Sequence, residues 1–314
     1  MTLHGYMSNA GYEDVRQTIA ESLNKRFGTN FSFKNLIMTV GAASGLNIIL
    51  KSILNPGDEV IVFAPYFVEY NAYVRNYDGN VVVISPDTET FMPKLDEFEA
   101  KITAKTKAVI INNPNNPTGR LIADDLLEEI LRICREKNIA LFVDECFLSL
   151  SDGGVDLTPS LSDFPQLFIL KAFTKSFGMA GLRLGYGLSA DEALLRKMSA
   201  AVPPWNVSTL AQAAGVAALG DAEFLEKNRT IIRAERPWLE EKLRKFGFWV
   251  CPSQVNYILF RGDVGLTEQL RARGVAIRDC ANFEGLTSGW YRVAVRQYEE
   301  NEQLIAAIRS VGKE

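Results

Sequence analysis

What most constrains this chain is a rhythm of short apolar runs alternating with stretches of helical period. "YEDVRQTIAESLNKRFG" (Tyr12 to Gly28) has apolar residues at helical spacing and ends on a glycine suited to a helix C-cap. "LIMTVG" then reads as a strand, "ASGLNIILKSIL" as a helix, and "NPGDEVIVFAP" as a turn running into a buried strand. "VVVIS" (Val81 to Ser85) and "KAVIINNP" are two further strands. "DDLLEEILRICREKN" is an amphipathic helix, and "IALFVDE", "LFILKAF" and "LRLGYGLS" are three more strands. Strands without polar alternation are covered on both faces. The expected fold is therefore α/β, a mostly parallel sheet with helices on both faces.

After about Asp191 the texture changes. A helical stretch runs from roughly Thr209 to Phe246. Three short strands follow, "VNYILFR", "VAIRDC" and "WYRVAVR", and then the helix "NEQLIAAIRSV". This gives an expected large domain over 12–207, a connecting helix over 208–245 and a smaller α+β C-terminal domain over 246–314. Residues 1–11 are expected to form a remnant N-terminal segment.

Composition narrows the function. The net charge is −4 and no Lys/Arg run stands out, so neither nucleic acid nor an anionic membrane surface is an expected partner. The apolar runs are strand-length, too short to span a bilayer, and the start shows no signal-peptide pattern. Cys134, Cys146, Cys251 and Cys280 are scattered, which argues against a disulfide scaffold or zinc site and fits a reducing cytoplasm. The single histidine, His4, excludes a multi-histidine metal site and a mid-chain histidine base. No metal is expected. If the chain is an enzyme, lysine, carboxylates, a cofactor or water must carry protons.

Ligands of α/β sheets sit at the carboxyl ends of the strands, and several candidates fall there. Gly41, Ala42, Ala43 and Ser44 lie between a strand and a helix, where small residues let a helix N-terminus approach a phosphate; the bland alternative is an ordinary turn. "NNPNNPTG" (Asn112 to Gly119) could present an amide to a ligand. Asp144 ends a buried strand and needs a cationic or hydrogen-bonding partner, a structural ion pair being the plain alternative. Lys175, in "LKAFTKSFGMAGLRLGYG", follows an apolar run and precedes Arg183 and a glycine-rich segment. Most lysines are solvated surface groups, but one placed here could serve as an amine nucleophile.

Taken together and in order, these motifs resemble the fold-type I pyridoxal-phosphate (PLP) enzymes of the class I/II aminotransferase superfamily, over nearly the whole chain. The resemblance implies that Lys175 forms the internal aldimine and later shuttles a proton. It implies that Asp144 pairs with the pyridine nitrogen, keeping the ring an electron sink, and that Asn116 bonds the phenolic oxygen. Arg183, the backbone at Ala42 and Ala43, and Ser44 would hold the cofactor phosphate. Phe67, in "APYF", would stack on the ring. Tyr6, in "YMSNAG", matches a tyrosine that reaches the phosphate of the neighbouring subunit, which implies a homodimer with shared active sites. Arg292, in "WYRVAVR", matches the arginine that clamps the substrate carboxylate.

The two halves resemble different branches. "PPWNVSTLAQAAG", "QVNYILFR", "IRDCANFEGL" and "WYRVAVR" are similar to L-threonine-O-3-phosphate decarboxylases of cobalamin synthesis, relatives of histidinol-phosphate aminotransferases. Arg296 favours the decarboxylase side, and Arg278 adds a cation suited to a phosphorylated substrate, surface ion pairing being the alternative for both. "YMSNAGYEDVR", "GAASGLNIIL" and "APYFVEY" are closer to aspartate aminotransferases. The change falls near Gly119–Arg120 and reads either as a divergent enzyme or as a chimera of two relatives. Three departures follow from the same likeness. Phe147 stands where many members have a tyrosine at the cofactor oxygen, Ala172 stands where many have a phosphate-binding serine, and the chain begins late relative to them. The expectation is a PLP-dependent enzyme, threonine-phosphate decarboxylase-like, with an aminotransferase or a catalytically impaired scaffold of the same fold as alternatives.

Overall fold

The computed structural model describes residues 5–311. Helix α1 (Glu13–Phe27) precedes a seven-stranded sheet. Its strands are β1 (Leu36–Thr39), β2 (Glu59–Phe63), β3 (Asn80–Ile84), β4 (Thr106–Asn112), β5 (Ala140–Asp144), β6 (Leu167–Ala172) and β7 (Gly185–Leu188), in the order β1-β7-β6-β5-β4-β2-β3. The run from β6 to β3 is parallel, and β7 lies antiparallel to both β6 and β1. Helices α2 (Ala42–Ile53), α3 (Tyr70–Arg75), α4 (Leu95–Ala100), α5 (Asp124–Glu136), α6 (Phe173–Ser176) and α7 (Glu192–Ala201) make most of the connections. The mostly parallel sheet expected from the apolar runs is the one observed.

Both faces of the sheet are covered because successive side chains leave a strand in opposite directions. Leu141, Val143, Leu167 and Ile169 pack on one face with Ile19 of α1 and Ile130 of α5. Their neighbours Phe142, Phe168 and Leu170 pack on the other with Leu46 of α2, Tyr70 of α3 and Met198 of α7.

The helical stretch expected over 208–245 is two helices, α8 (Thr209–Leu219) and α9 (Ala222–Lys245). The break falls at Gly220 and Asp221, whose carboxylate caps α9 by accepting from the Phe224 N–H at 3.0 Å. Helix α9 is tied to the large sheet's loops. Arg229 Nε donates to the Ser149 carbonyl at 2.8 Å, and the buried Arg236 guanidinium bonds the Asp152 carboxylate. At its far end α9 packs Leu239 and Leu243 against a four-stranded antiparallel sheet of β8 (Trp249–Val250), β9 (Tyr257–Arg261), β10 (Arg278–Asp279) and β11 (Trp290–Ala294), ordered β10-β11-β9-β8. Helices α10 (Leu266–Arg271) and α11 (Tyr298–Val311) cover the same face with Leu270 and Ile305.

Phe168 is fully buried, edge-on to Phe142, and sits where a side chain on Gly187 would collide with its ring. Replacing Phe168 by Ala should lower unfolding stability by about 3–5 kcal/mol, read from the urea midpoint at unchanged slope.

Candidate active site

The parallel strands β4, β5 and β6 end side by side, and the chemistry gathers at those ends. Asn112, closing β4, is in register with Asp144, closing β5. Both oxygens of Asp144 are held. The Tyr70 hydroxyl donates to Oδ2 at 2.9 Å, and the Cys146 backbone N–H donates to Oδ1 at 3.1 Å. Tyr70 is fully buried. Burial and the adjacent Asp144 charge keep its hydroxyl well above the ordinary tyrosine value, so it stays a donor. Phe67, in the loop after β2, meets Tyr70 edge-on at 5.7 Å between centroids.

Asn116 is buried in the turn after β4, its N–H donating to Asn112 Oδ1 at 2.6 Å. Arg292 Nη1 donates to Asn116 Oδ1. A guanidinium only donates, so this contact sets the amide's orientation and leaves the Asn116 Nδ2 hydrogens to point at a ligand.

Lys175 lies on α6, the single turn after β6, and its exposed side chain opens into a cavity of about 530 Å³. The cavity is shared with Phe147, Asn256, Tyr257, Arg278, Arg292 and Arg296. The Lys175 Nζ stands 5.6 Å from the centre of the Phe147 ring. Phe147 is edge-on to Tyr257, over whose ring the Arg292 guanidinium sits at 5.1 Å. The Tyr257 hydroxyl donates to the Asn115 carbonyl at 2.8 Å, so it does not substitute for a hydroxyl at Phe147.

The N-terminus of α2 is a cradle without a side-chain cap. Its N-cap, Gly41, has φ 78°, and Ala42, Ala43 and Ser44 form the first turn. A Cβ on Gly41 would lie 2.9 Å from Arg183 Nη2, and one on Gly185 would lie 2.9 Å from the Gly41 backbone carbon. Glycine at 185 permits the close approach of the start of β7 to the Gly41 backbone. Arg183 is exposed, its own backbone left-handed at φ 57°, with Nη1 donating to the Ala180 carbonyl at 3.0 Å. A guanidinium beside uncapped helix N–H groups is a ready seat for a phosphate. Ala42 also packs against Phe147 and Ala172, with no hydroxyl at Ala172.

Arg296 forms an ion pair with Glu300 at 2.6 Å and is exposed, although it lines the cavity mouth. Tyr6 is 83% exposed and stacks on Trp205 at 4.2 Å rather than entering this chain's cavity. Tyr70 and Tyr257 were not singled out in the sequence. Tyr70's only signal is its place three residues after Phe67 in the loop following β2.

These residues fit PLP. Asp144 offers an oriented carboxylate for a protonated ring nitrogen, Asn116 an amide donor, Lys175 an amine, and the α2 cradle with Arg183 a phosphate seat. Tyr70→Phe should free Oδ2 of Asp144 and weaken PLP binding about tenfold, measured by absorbance titration with Lys175→Ala as the blank.

The profile of the family "Aminotransferase class I and II" matches residues 1–308. The chain is 33% identical to histidinol-phosphate aminotransferase 1 of Archaeoglobus fulgidus over 98% of its own length and 91% of the relative's. It is 35% identical to threonine-phosphate decarboxylase of Salmonella typhimurium, a match that covers 69% of this chain and 60% of that one. Among solved structures, aspartate aminotransferase from Thermus thermophilus with maleate superposes at a TM-score of 0.87, with 29% identity, 98% of this chain and 84% of the other. Fold, site residues and these likenesses agree: the chain belongs to the class I and II aminotransferase family, whose members use pyridoxal 5'-phosphate.

Proposed function

We propose that this PLP-dependent enzyme acts on an amino acid carrying a phosphate, and that its reaction is decarboxylation of the O-phospho-L-threonine type. The carrying observation is a pair of arginines. Arg278 and Arg292 face each other directly across β10 and β11 and line the cavity that Lys175 enters. Like charges at opposed positions of an antiparallel pair destabilise it. Among the described residues neither arginine has a carboxylate partner. Arg278 Nη2 reaches Asn282 Oδ1 at 3.0 Å, and Arg292 reaches Asn116. Two guanidiniums that share a cavity and lack a counter-ion suit a dianionic ligand group.

In this reading Asp144, fixed by Tyr70, holds the cofactor's ring nitrogen, Asn116 its phenolic oxygen, Phe67 its face, and Arg183 with the turn Ala42–Ser44 its phosphate. When bound, PLP supplies an electron sink for the pair released at the substrate Cα. Lys175 yields its place to the substrate amine and then holds the proton that Cα gains or loses. Arg278 and Arg292 draw the substrate phosphate away from Cα. The substrate carboxylate, left without a guanidinium, would then be the group free to leave as carbon dioxide. If Arg292 instead holds the substrate carboxylate, a proton rather than carbon dioxide would be lost from Cα to Lys175, and transamination would follow. Transamination, the second reading, is also supported by relatives named histidinol-phosphate aminotransferase that match 95% or more of this chain.

The exposed stack of Tyr6 on Trp205, with exposed Leu210 close by in sequence, supports a homodimer in which Tyr6 serves the partner's site. The buried free thiols support a cytoplasmic location.

Incubation with PLP and O-phospho-L-threonine should release carbon dioxide and an amine, scored by product mass. An oxo acid would support the second reading, and neither product would sink both. Arg278→Ala should raise KM for the phosphorylated substrate about 10- to 100-fold while sparing PLP binding. Light scattering should give twice the chain mass, and Tyr6→Ala should weaken PLP binding without dissolving the dimer.

A further inference from the structure

Asp144 closes β5 and Glu145 is the next residue, and their side chains leave on opposite faces of the sheet. Asp144 goes to the face of Tyr70 and α2. Glu145 goes to the face of α1, where it is 4% exposed and meets Lys171 of β6. Lys171 Nζ donates to Glu145 Oε2 at 2.5 Å and to Asp156 Oδ2 at 2.7 Å, and it stands 5.9 Å from the Phe27 ring centre. The remaining Glu145 oxygen accepts the Leu157 N–H at 3.0 Å. One ammonium therefore joins three pieces of chain. They are the end of the strand that carries Asp144, the strand that leads four residues on to Lys175, and the return of the 145–157 loop.

That loop reaches the site at several points. Phe147 faces Lys175, Ser149 bonds Ser176 beside Lys175, and Asp152 receives Arg236 of α9. Breaking the bridge would release the loop at both ends, at Glu145 and at Asp156. We propose that Lys171 is a positioning residue for the active site: by clamping Glu145 and Asp156 behind the sheet, it sets the alignment of Asp144 and Lys175 toward the cofactor.

The charge balance makes the clamp sensitive to its cation. Two carboxylates share one lysine, and the groups that face them from neighbouring elements are Arg26 of α1, Tyr186 of β7 and Asp221 at the α8–α9 turn, all lining one cavity of about 260 Å³. Burial opposes the Lys171 charge, but Glu145 and Asp156 more than offset it and hold the ammonium above the ordinary lysine value. Burial pushes the Glu145 carboxyl up to about 7, against the pull of Lys171. A carboxyl raised on folding binds more protons in the folded state, so its contribution to stability is lost as pH rises through its folded pKa. Without Lys171 that upward shift grows.

The test compares Lys171→Met with Lys171→Arg in the full chain. We expect Lys171→Met to keep its far-ultraviolet circular dichroism and to bind PLP about tenfold more weakly, with a displaced visible dichroism band. Its melting temperature should fall more steeply than the parent's between about pH 6 and about pH 9. Lys171→Arg, which keeps the charge, should restore the band and bring PLP affinity to within about threefold. If Lys171→Met does not fold, Glu145→Gln/Lys171→Met removes the unbalanced charge and replaces it in the same comparison. A parent-like PLP affinity and band in the Met variant would overturn the proposal. So would equal melting losses in the Met and Arg variants with the band unchanged, because that pattern marks a merely structural bridge.

Discussion

Side chains alternate across a strand, and at the carboxyl end of β5 that constraint divides two acids between two environments. Asp144 turns to Tyr70 and the Cys146 amide, where both oxygens are occupied by donors. Glu145 turns to Lys171 on the opposite face. The site in front of the sheet and the ionic clamp behind it are consequences of the same one-residue step. A slip of β5 by one position would exchange the two carboxylates and dismantle both.

The site is assembled from distant parts of the chain. Strands β4, β5 and β6 deliver Asn116, Asp144 and Lys175 because parallel strands end together. The arginines arrive from the small sheet, carried by α9 and held in place by its contacts to Ser149 and Asp152. The meeting of the two sheets is specific. Arg292 bonds Asn116, Tyr257 bonds the Asn115 carbonyl, and the Gln254 N–H donates to the Gly119 carbonyl at 2.9 Å. These contacts join the loop after β4 to the small sheet and its approach.

Much of the fold was legible in the sequence. Buried parallel strands leave unbroken apolar runs, and seven such segments between 36 and 189 became strands. The break between α8 and α9 was missed because Ala-rich and charged helical patterns flank Gly220–Asp221 on both sides. The two-residue strand β8 is too short to leave a periodic signal, whereas β10 falls within the expected strand "VAIRDC". Of the candidate residues, Lys175, Asp144, Asn116 and Arg292 stood out by motif. Tyr70 did not, since one tyrosine among several in "APYFVEYNAYVRNY" carries no signal of its own until its hydroxyl is seen to meet a carboxylate.

The sequence by itself determined the layered α/β core, its strand ends and the chemical types gathered there, because hydrophobic periodicity and turn composition act locally along the chain. Only the tertiary structure decided that Arg278 and Arg292 stand opposite each other at a shared cavity, that Arg296 is drawn to Glu300, and that Lys171 is buried between two acids. The facing arginines and the buried lysine depend on strand register and on contacts between residues far apart in the chain, which the spacing of no one segment encodes, whereas the Arg296–Glu300 pair is local, four residues apart, and it took the structure to show that the pair forms.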